Sequence, residues 1–285
     1  VAGDASCPPV DTGLQWLCEH RNPDGGWGDT IDSPSNLATT LLARSALAVC
    51  EVRNPVADAA EAWTARRCGG QGGDAIVREV LAFYGEDRTF AVPILAVCAY
   101  AGLLGETPGW RAVPQLPFEL AALPRVWFRF LRLSVVSYAL PALVAVGVMT
   151  WQARTGGAGR GIRQRLRRFL LPRLLRKVDS MQPESGGFLE AVPLTAFVVL
   201  GLVRCGYRDH RIVREGVSFI DRSQRPDGGW PIDTDLSVWL TCESVKALSP
   251  PVVPPGDGGP PPFCFPLGDG GPPPFCFPPG DGGPP

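Results

Sequence analysis

The sequence has very little histidine, two residues in 285, and no Cys-x-x-Cys or Asp-x-Cys pair. Metal chemistry of the zinc type therefore lacks both the ligands and their usual spacing, and no metal or cofactor is expected. Net charge is also scarce, at -1. That argues against a nucleic-acid partner, which calls for a broad basic surface. Sustained strand alternation bounded by hairpin signals is absent as well, which excludes a β-sandwich or barrel. Residues 1–12 contain Asp4, Pro8, Pro9 and Asp11 but no apolar stretch, so no signal peptide is expected there.

What is abundant is apolar: 45% of the chain is hydrophobic, enough to bury a sizeable core. The nine cysteines are an odd number. Cys50, Cys98, Cys205 and Cys242 fall inside apolar helical patterns. They read as buried free thiols in a reducing, cytoplasmic compartment rather than a disulfide framework.

Composition divides the chain. The stretch from Gly256 to Pro266 recurs almost unchanged from Gly268 to Pro278, and a third copy starts at Gly280. So much proline and glycine cannot build helix or sheet interior. The expected domains are a helical body over 1–249 and a low-complexity, disordered tail over 250–285.

The body carries a weaker repeat. Gly216-Val217-Ser218-Phe219-Ile220 is followed by Gln224 and then by Pro226-Asp227-Gly228-Gly229-Trp230. Gly13-Leu14-Gln15-Trp16-Leu17 is followed by Arg21 and Pro23-Asp24-Gly25-Gly26-Trp27. A third copy has Gln182 before Gly186-Gly187-Phe188. Each predicts a helix end, a glycine-rich turn with an aromatic residue, and a new helix. Ala91-Val92-Pro93 and Ala191-Val192-Pro193 both read as helix entries, since proline in a first turn loses nothing. The segments that follow are apolar almost throughout, which predicts buried helices behind an amphipathic outer layer.

These features together resemble the squalene–hopene cyclase and prenyltransferase superfamily. The Gln-to-Gly-x-Trp spacing resembles the QW repeat, with Gln182, Gln224, Trp27, Phe188 and Trp230 as its structural residues. Val113-Pro114-Gln115-Leu116-Pro117-Phe118-Glu119-Leu120, running on to Leu123-Pro124-Arg125-Val126-Trp127-Phe128, resembles a Pro-Pro-Glu…Leu-Pro…Trp-Phe segment of triterpene cyclases. The resemblance implies an all-α fold, an α/α toroid of inner and outer helices. It also implies an isomerase-type activity: proton-initiated cyclisation of a linear polyprene such as squalene. The implied setting is monotopic, on the membrane surface. The chain is about half the length of such cyclases, so a partner chain or homodimer is an open expectation.

Protonating an alkene needs a carboxylic acid in a dry site and aromatic faces for the carbocation. Asp235, with Asp233 beside it, is the candidate acid by resemblance to an Asp-x-Asp-Asp motif, although Leu236 stands where the motif has an acid. The competing reading is that Asp233 or Asp235 caps the next helix. Asp29 and Asp32 after Trp27 invite the same choice. Phe90, Tyr100, Phe197 and Trp239 are the candidate cavity residues, against ordinary core packing. Cys68-Gly69-Gly70-Gln71 reads as a flexible loop rather than a thioester. The alternative functions are a non-catalytic isoprenoid-lipid-binding toroid and a membrane-surface scaffold.

Residues 133–151 carry no charge, and Pro141 favours a buried or half-inserted helix there over a span. Arg160 to Lys177 holds eight basic residues and no acid, with Leu166, Phe169, Leu170 and Leu174 between them. A basic amphipathic helix predicts contact with an anionic membrane surface, with Arg163, Arg167, Arg168 and Arg173 as the expected contacts.

Overall fold

A computed structural model describes residues 7–70, 72–85, 87–105, 109–123, 139–156 and 161–234, and beyond them Thr241, Cys242, Ser244, Val245 and Leu248. Asp235, Leu236, Trp239, Gln71, the segment 124–138 and the proline-rich tail lie outside the described residues. The chain divides into two units, Val1–Thr234 and Asp235–Pro285. The described residues of the second are helical and exposed.

The described part of the first unit is helical, and its one β-type pairing is the bridge between Ala191 and Asp233. The helices are α1 (Pro8–Glu19), α2 (Leu37–Val49), α3 (Pro55–Cys68), α4 (Gly73–Tyr84) and α5 (Arg88–Tyr100). They continue with the short α6 (Gly109–Ala112), α7 (Leu140–Thr155), α8 (Ile162–Asp179), α9 (Val192–Arg204) and α10 (Arg211–Arg222). Several starts are written locally. Asn36 Oδ1 accepts from Thr39 N at 2.9 Å, and Asn54 Oδ1 accepts from Ala57 N at 3.0 Å ahead of Pro55. Each cap satisfies a donor that a first helical turn leaves open.

The two Ala-Val-Pro entries differ. Pro193 does open α9. Pro93 instead lies inside α5, because Asp87 Oδ1 accepts from Thr89 N at 2.8 Å and starts that helix a turn earlier. Proline inside the helix removes a backbone hydrogen bond at a cost of about 3 kcal/mol, more than a cap of about 1 kcal/mol offsets by itself.

Helices α2, α5, α7 and α9 pack in series, each against the next. They are the most apolar helices and supply much of the core: Leu41, Leu47, Leu95, Val146 and Val198 are fully or almost fully buried. Burying each such side chain contributes about 1.5–3 kcal/mol. Helices α3 and α4 cover α2 and α5, while α8 and α10 cover α7 and α9. Close approach needs small residues. A Cβ on Gly201 of α9 would lie 2.9 Å from the backbone of Ala145 on α7.

The uncharged run is therefore core where it is described: Val144, Val148 and Trp151 of α7 are buried among neighbouring helices. No described helix is long and apolar enough to cross a membrane.

Candidate functional site

The three glycine-rich turns do the same structural job. Gly25, Gly186 and Gly228 adopt positive φ values of 103°, 86° and 90°. A Cβ on each would strike the backbone of the fifth residue of another helix: Ala59 of α3, Glu215 of α10 and Thr12 of α1, respectively. Only glycine tolerates both the dihedral and the approach. Gln182 Nε2 donates to Gly186 O at 2.9 Å within its turn and to Ile212 O at 3.0 Å on α10. Gln224 Nε2 repeats the pattern, donating to Gly228 O at 2.9 Å and to Pro9 O at 2.8 Å on α1. Residues 224–230 thus sit against α1, more than two hundred positions earlier in sequence.

At the first turn Arg21 stands where the other copies have glutamine, and among the described residues it donates only locally, to Asn22 O at 3.2 Å. Asp24 takes over the tie. Its Oδ2 accepts from Trp63 Nε1 of α3 at 2.9 Å, and its Oδ1 accepts from Ser35 Oγ at 2.7 Å. Burial pushes the Asp24 carboxyl up, but hydrogen bonds from Ser35, Gly26 and Trp63 outweigh it and hold the pKa below the ordinary value.

The indoles close the same turns. Trp27 Nε1 donates to Leu17 O at 2.9 Å, and Trp230 Nε1 donates to Ile220 O at 2.8 Å. In each case the acceptor is a carbonyl in the last turn of the preceding helix, and Ile220 O also accepts from Ser223 N at 3.1 Å. Trp27 is buried and Trp230 only half-buried. Trp27→Ala should therefore cost about 3 kcal/mol and Trp230→Ala distinctly less, as read by urea denaturation. Equal losses would mean that burial does not set the difference.

The candidate acids are placed as follows. Asp233 pairs through its backbone with Ala191. Val192 N donates to Ile232 O at 3.1 Å, and Thr234 N donates to Glu190 O at 3.0 Å. Glu190 and Leu189 opposite hold left-handed φ values of 54°, a conformation that costs a non-glycine residue about 1 kcal/mol or more. Asp29 Oδ1 accepts from Thr39 Oγ1 at 2.7 Å and Asn36 Nδ2 at 2.9 Å. Those bonds hold its pKa below the ordinary value, the opposite of what a proton donor needs. Asp32 is exposed.

Three of the four aromatic candidates are described. Phe90 is 57% exposed and stacks on Tyr84 at a centroid distance of 6.3 Å. Tyr100 is half-buried at the end of α5. Phe197 packs between the cluster around α5 and the cluster around α7 and α9. The histidines are structural: His20 stacks on Trp16 at 4.2 Å, and His210 Nδ1 accepts from Ile212 N at 3.3 Å as the cap of α10. Among the described residues, no three His, Cys, Asp or Glu side chains converge as metal ligands. Cys98 and Cys205 are thiols whose pKa burial pushes up to about 12. Cys50, by contrast, is exposed, because α2 ends one residue before it, and Cys242 is exposed too.

The basic helix α8 has two kinds of arginine. Arg167 is buried and lies over the Phe118 ring at 4.9 Å. It pairs with Glu119 at 3.0 Å, and Arg163 pairs with the same carboxylate at 2.8 Å. Arg167 is thus withdrawn from the surface, contrary to the expectation from the sequence. A charge 48 positions away supplies its partner, and no local pattern announces such a pair. Desolvation pushes the Glu119 carboxyl up, but hydrogen bonds from its own backbone N–H, Arg163 and Arg167 outweigh it and hold the pKa below the ordinary value.

The opposite side of α8 presents Ile162, Leu166 and Phe169, which are 89%, 46% and 64% exposed. Their i, i+4, i+7 spacing makes one stripe. Arg165, Arg173 and Arg176 flank it, also exposed, with no ion pair among the described residues. Leu174 faces inward and is buried. Comparison with models of known protein families finds no match, and no curated protein is significantly similar to the chain.

Proposed function

We propose that the protein rests on an anionic membrane surface through α8 and holds an isoprenoid lipid there without cyclising it. The observation that carries the reading is the exposed stripe of Ile162, Leu166 and Phe169 flanked by Arg165, Arg173 and Arg176. An apolar stripe between cations matches the boundary between acyl chains and anionic headgroups. The isoprenoid part rests on the resemblance of the repeat turns to those of α/α toroid cyclases. Loss of cyclisation is the reading favoured by the carboxylates. Of the candidate acids that are described, the Asp29 carboxyl is held below its ordinary pKa by hydrogen bonds, and Asp233 is engaged through its backbone with Ala191.

Flotation with phosphatidylserine-containing vesicles tests the surface. Ile162→Asp with Phe169→Asp should reduce the bound fraction at least tenfold, since each apolar side chain contributes about 1.5–3 kcal/mol when buried. Replacing Arg165, Arg173 and Arg176 with Gln should also weaken binding, by about 1 kcal/mol per charge. Binding unchanged in both variants would sink the proposal. Squalene incubated with the unmodified protein should be recovered intact. A cyclic product would reinstate the cyclase, and Asp235→Asn would then show whether that residue is its acid.

A further inference from the structure

Behind α8 lies a cavity of about 300 Å³, lined by Arg111 of α6, Trp151 and Arg154 of α7, Gln164 and Arg167 of α8, and Gln115 from the intervening loop. Three guanidinium groups line it, and no carboxylate does among the described residues. Glu119 faces Arg167, but it is shared with Arg163, so one negative charge serves two positive ones. Arg154 donates to Val113 O at 3.3 Å, a neutral acceptor. Arg111 makes no ion pair among the described residues. Converging cations repel one another unless an anion joins them.

We infer that this cavity binds a free, phosphate-bearing anion of charge −2 or more, of the diphosphate type. Guanidinium groups match phosphoryl oxygens through paired N–H donors. Arg167 is fixed in advance by burial and by Glu119, so one donor group needs no ordering on binding. Gln115 shapes the wall rather than donating to the anion, since its Nε2 already donates to Leu116 O at 3.0 Å and to Gly147 O at 2.9 Å. The volume suits a diphosphate with part of an organic group attached. Gln164 lies roughly 140–160° and Arg167 roughly 100–160° around the helix axis from the residues of the Ile162–Leu166–Phe169 stripe, at about 100° per residue. A lipid headgroup anchored in a membrane under that stripe is therefore poorly placed to enter, and a soluble anion is favoured.

The experiment is calorimetric titration of the full chain with inorganic pyrophosphate at fixed ionic strength, with acetate as control. Pyrophosphate should bind with a dissociation constant on the order of 100 µM or tighter, and acetate should not. Arg111→Gln should weaken binding tenfold or more while leaving the unfolding midpoint in place, and Arg154→Lys should weaken it although the charge is kept. No pyrophosphate binding, or binding equal in both variants, overturns the proposal. Vesicles with phosphatidylinositol 4-phosphate supply the other arm. A preference for them over charge-matched phosphatidylserine that Arg111→Gln abolishes would make the ligand a headgroup and overturn the free anion. Because the main titration contains no membrane, its outcome is independent of docking through α8.

Discussion

Replacing Glu119 with alanine should destabilise the protein by about 3–5 kcal/mol, read as a shift in the urea midpoint. Its side chain and that of Arg167 are 11% and 4% exposed, so the pair is almost dry. Removing the carboxylate leaves a buried guanidinium over the Phe118 ring with no counter-charge. The cost is that of a buried, uncompensated cation, larger than the net contribution of the pair itself. The same bond gives a pH signature. The pKa of Glu119 lies below its ordinary value of 4.5. Its contribution is therefore complete above that value and is lost as pH falls through the lower, folded-state pKa. Glu119→Gln should flatten the acid limb of the stability profile. A loss under 1 kcal/mol for Glu119→Ala, with an unchanged acid limb, would show that Arg167 finds water instead.

Gly186→Ala should cost about 2–5 kcal/mol, the sum of about 1–2 for a left-handed alanine and about 1–3 for forced repacking. The added methyl would sit 2.4 Å from the carbonyl oxygen of Glu215, and backbone cannot swing aside as a side chain can. The turn must lift from α10, which strains both bonds donated by Gln182. Gly206→Ala separates the two effects. Its φ is 85°, but nothing lies within 4 Å of the new Cβ. It should lose about 1 kcal/mol from conformation alone. Equal losses at the two sites would assign the whole effect to φ and none to the contact.

Much of the helical layout can be read along the chain. Asn36, Asn54 and Pro55 announce α2 and α3, because a cap needs only residues three positions away. Pro-Asp-Gly-Gly-Trp announces a turn, because the aspartate accepts from the backbone N–H two residues on in both copies, although its ties to other helices do not show in the motif. The wholly apolar character of α5, α7 and α9 announces burial, since a helix with no polar face has no side to give to water. Pro93 misleads for the same local reason. It suits a first turn, but the Asp87 cap starts α5 at Arg88 and leaves the proline inside the helix.

The candidate site was much less legible. The eight basic residues from Arg160 to Lys177 suggest an interfacial helix, yet composition does not separate Arg167 from Arg165. That separation depends on which face meets Phe118 and Glu119, residues brought near by the packing of α7 and α8. The cavity between Arg111, Arg154 and Arg167 has no sequence signature, because its members come from three helices and share no spacing. Helix content, caps, turns and apolar faces are short-range quantities, governed by neighbours within about one turn, and the sequence alone determines them. Which arginine is buried, which carboxylate answers it, and where cations converge without one depend on contacts between distant segments. Only the tertiary packing decided those, because charge interactions are set by distance and desolvation rather than by order along the chain.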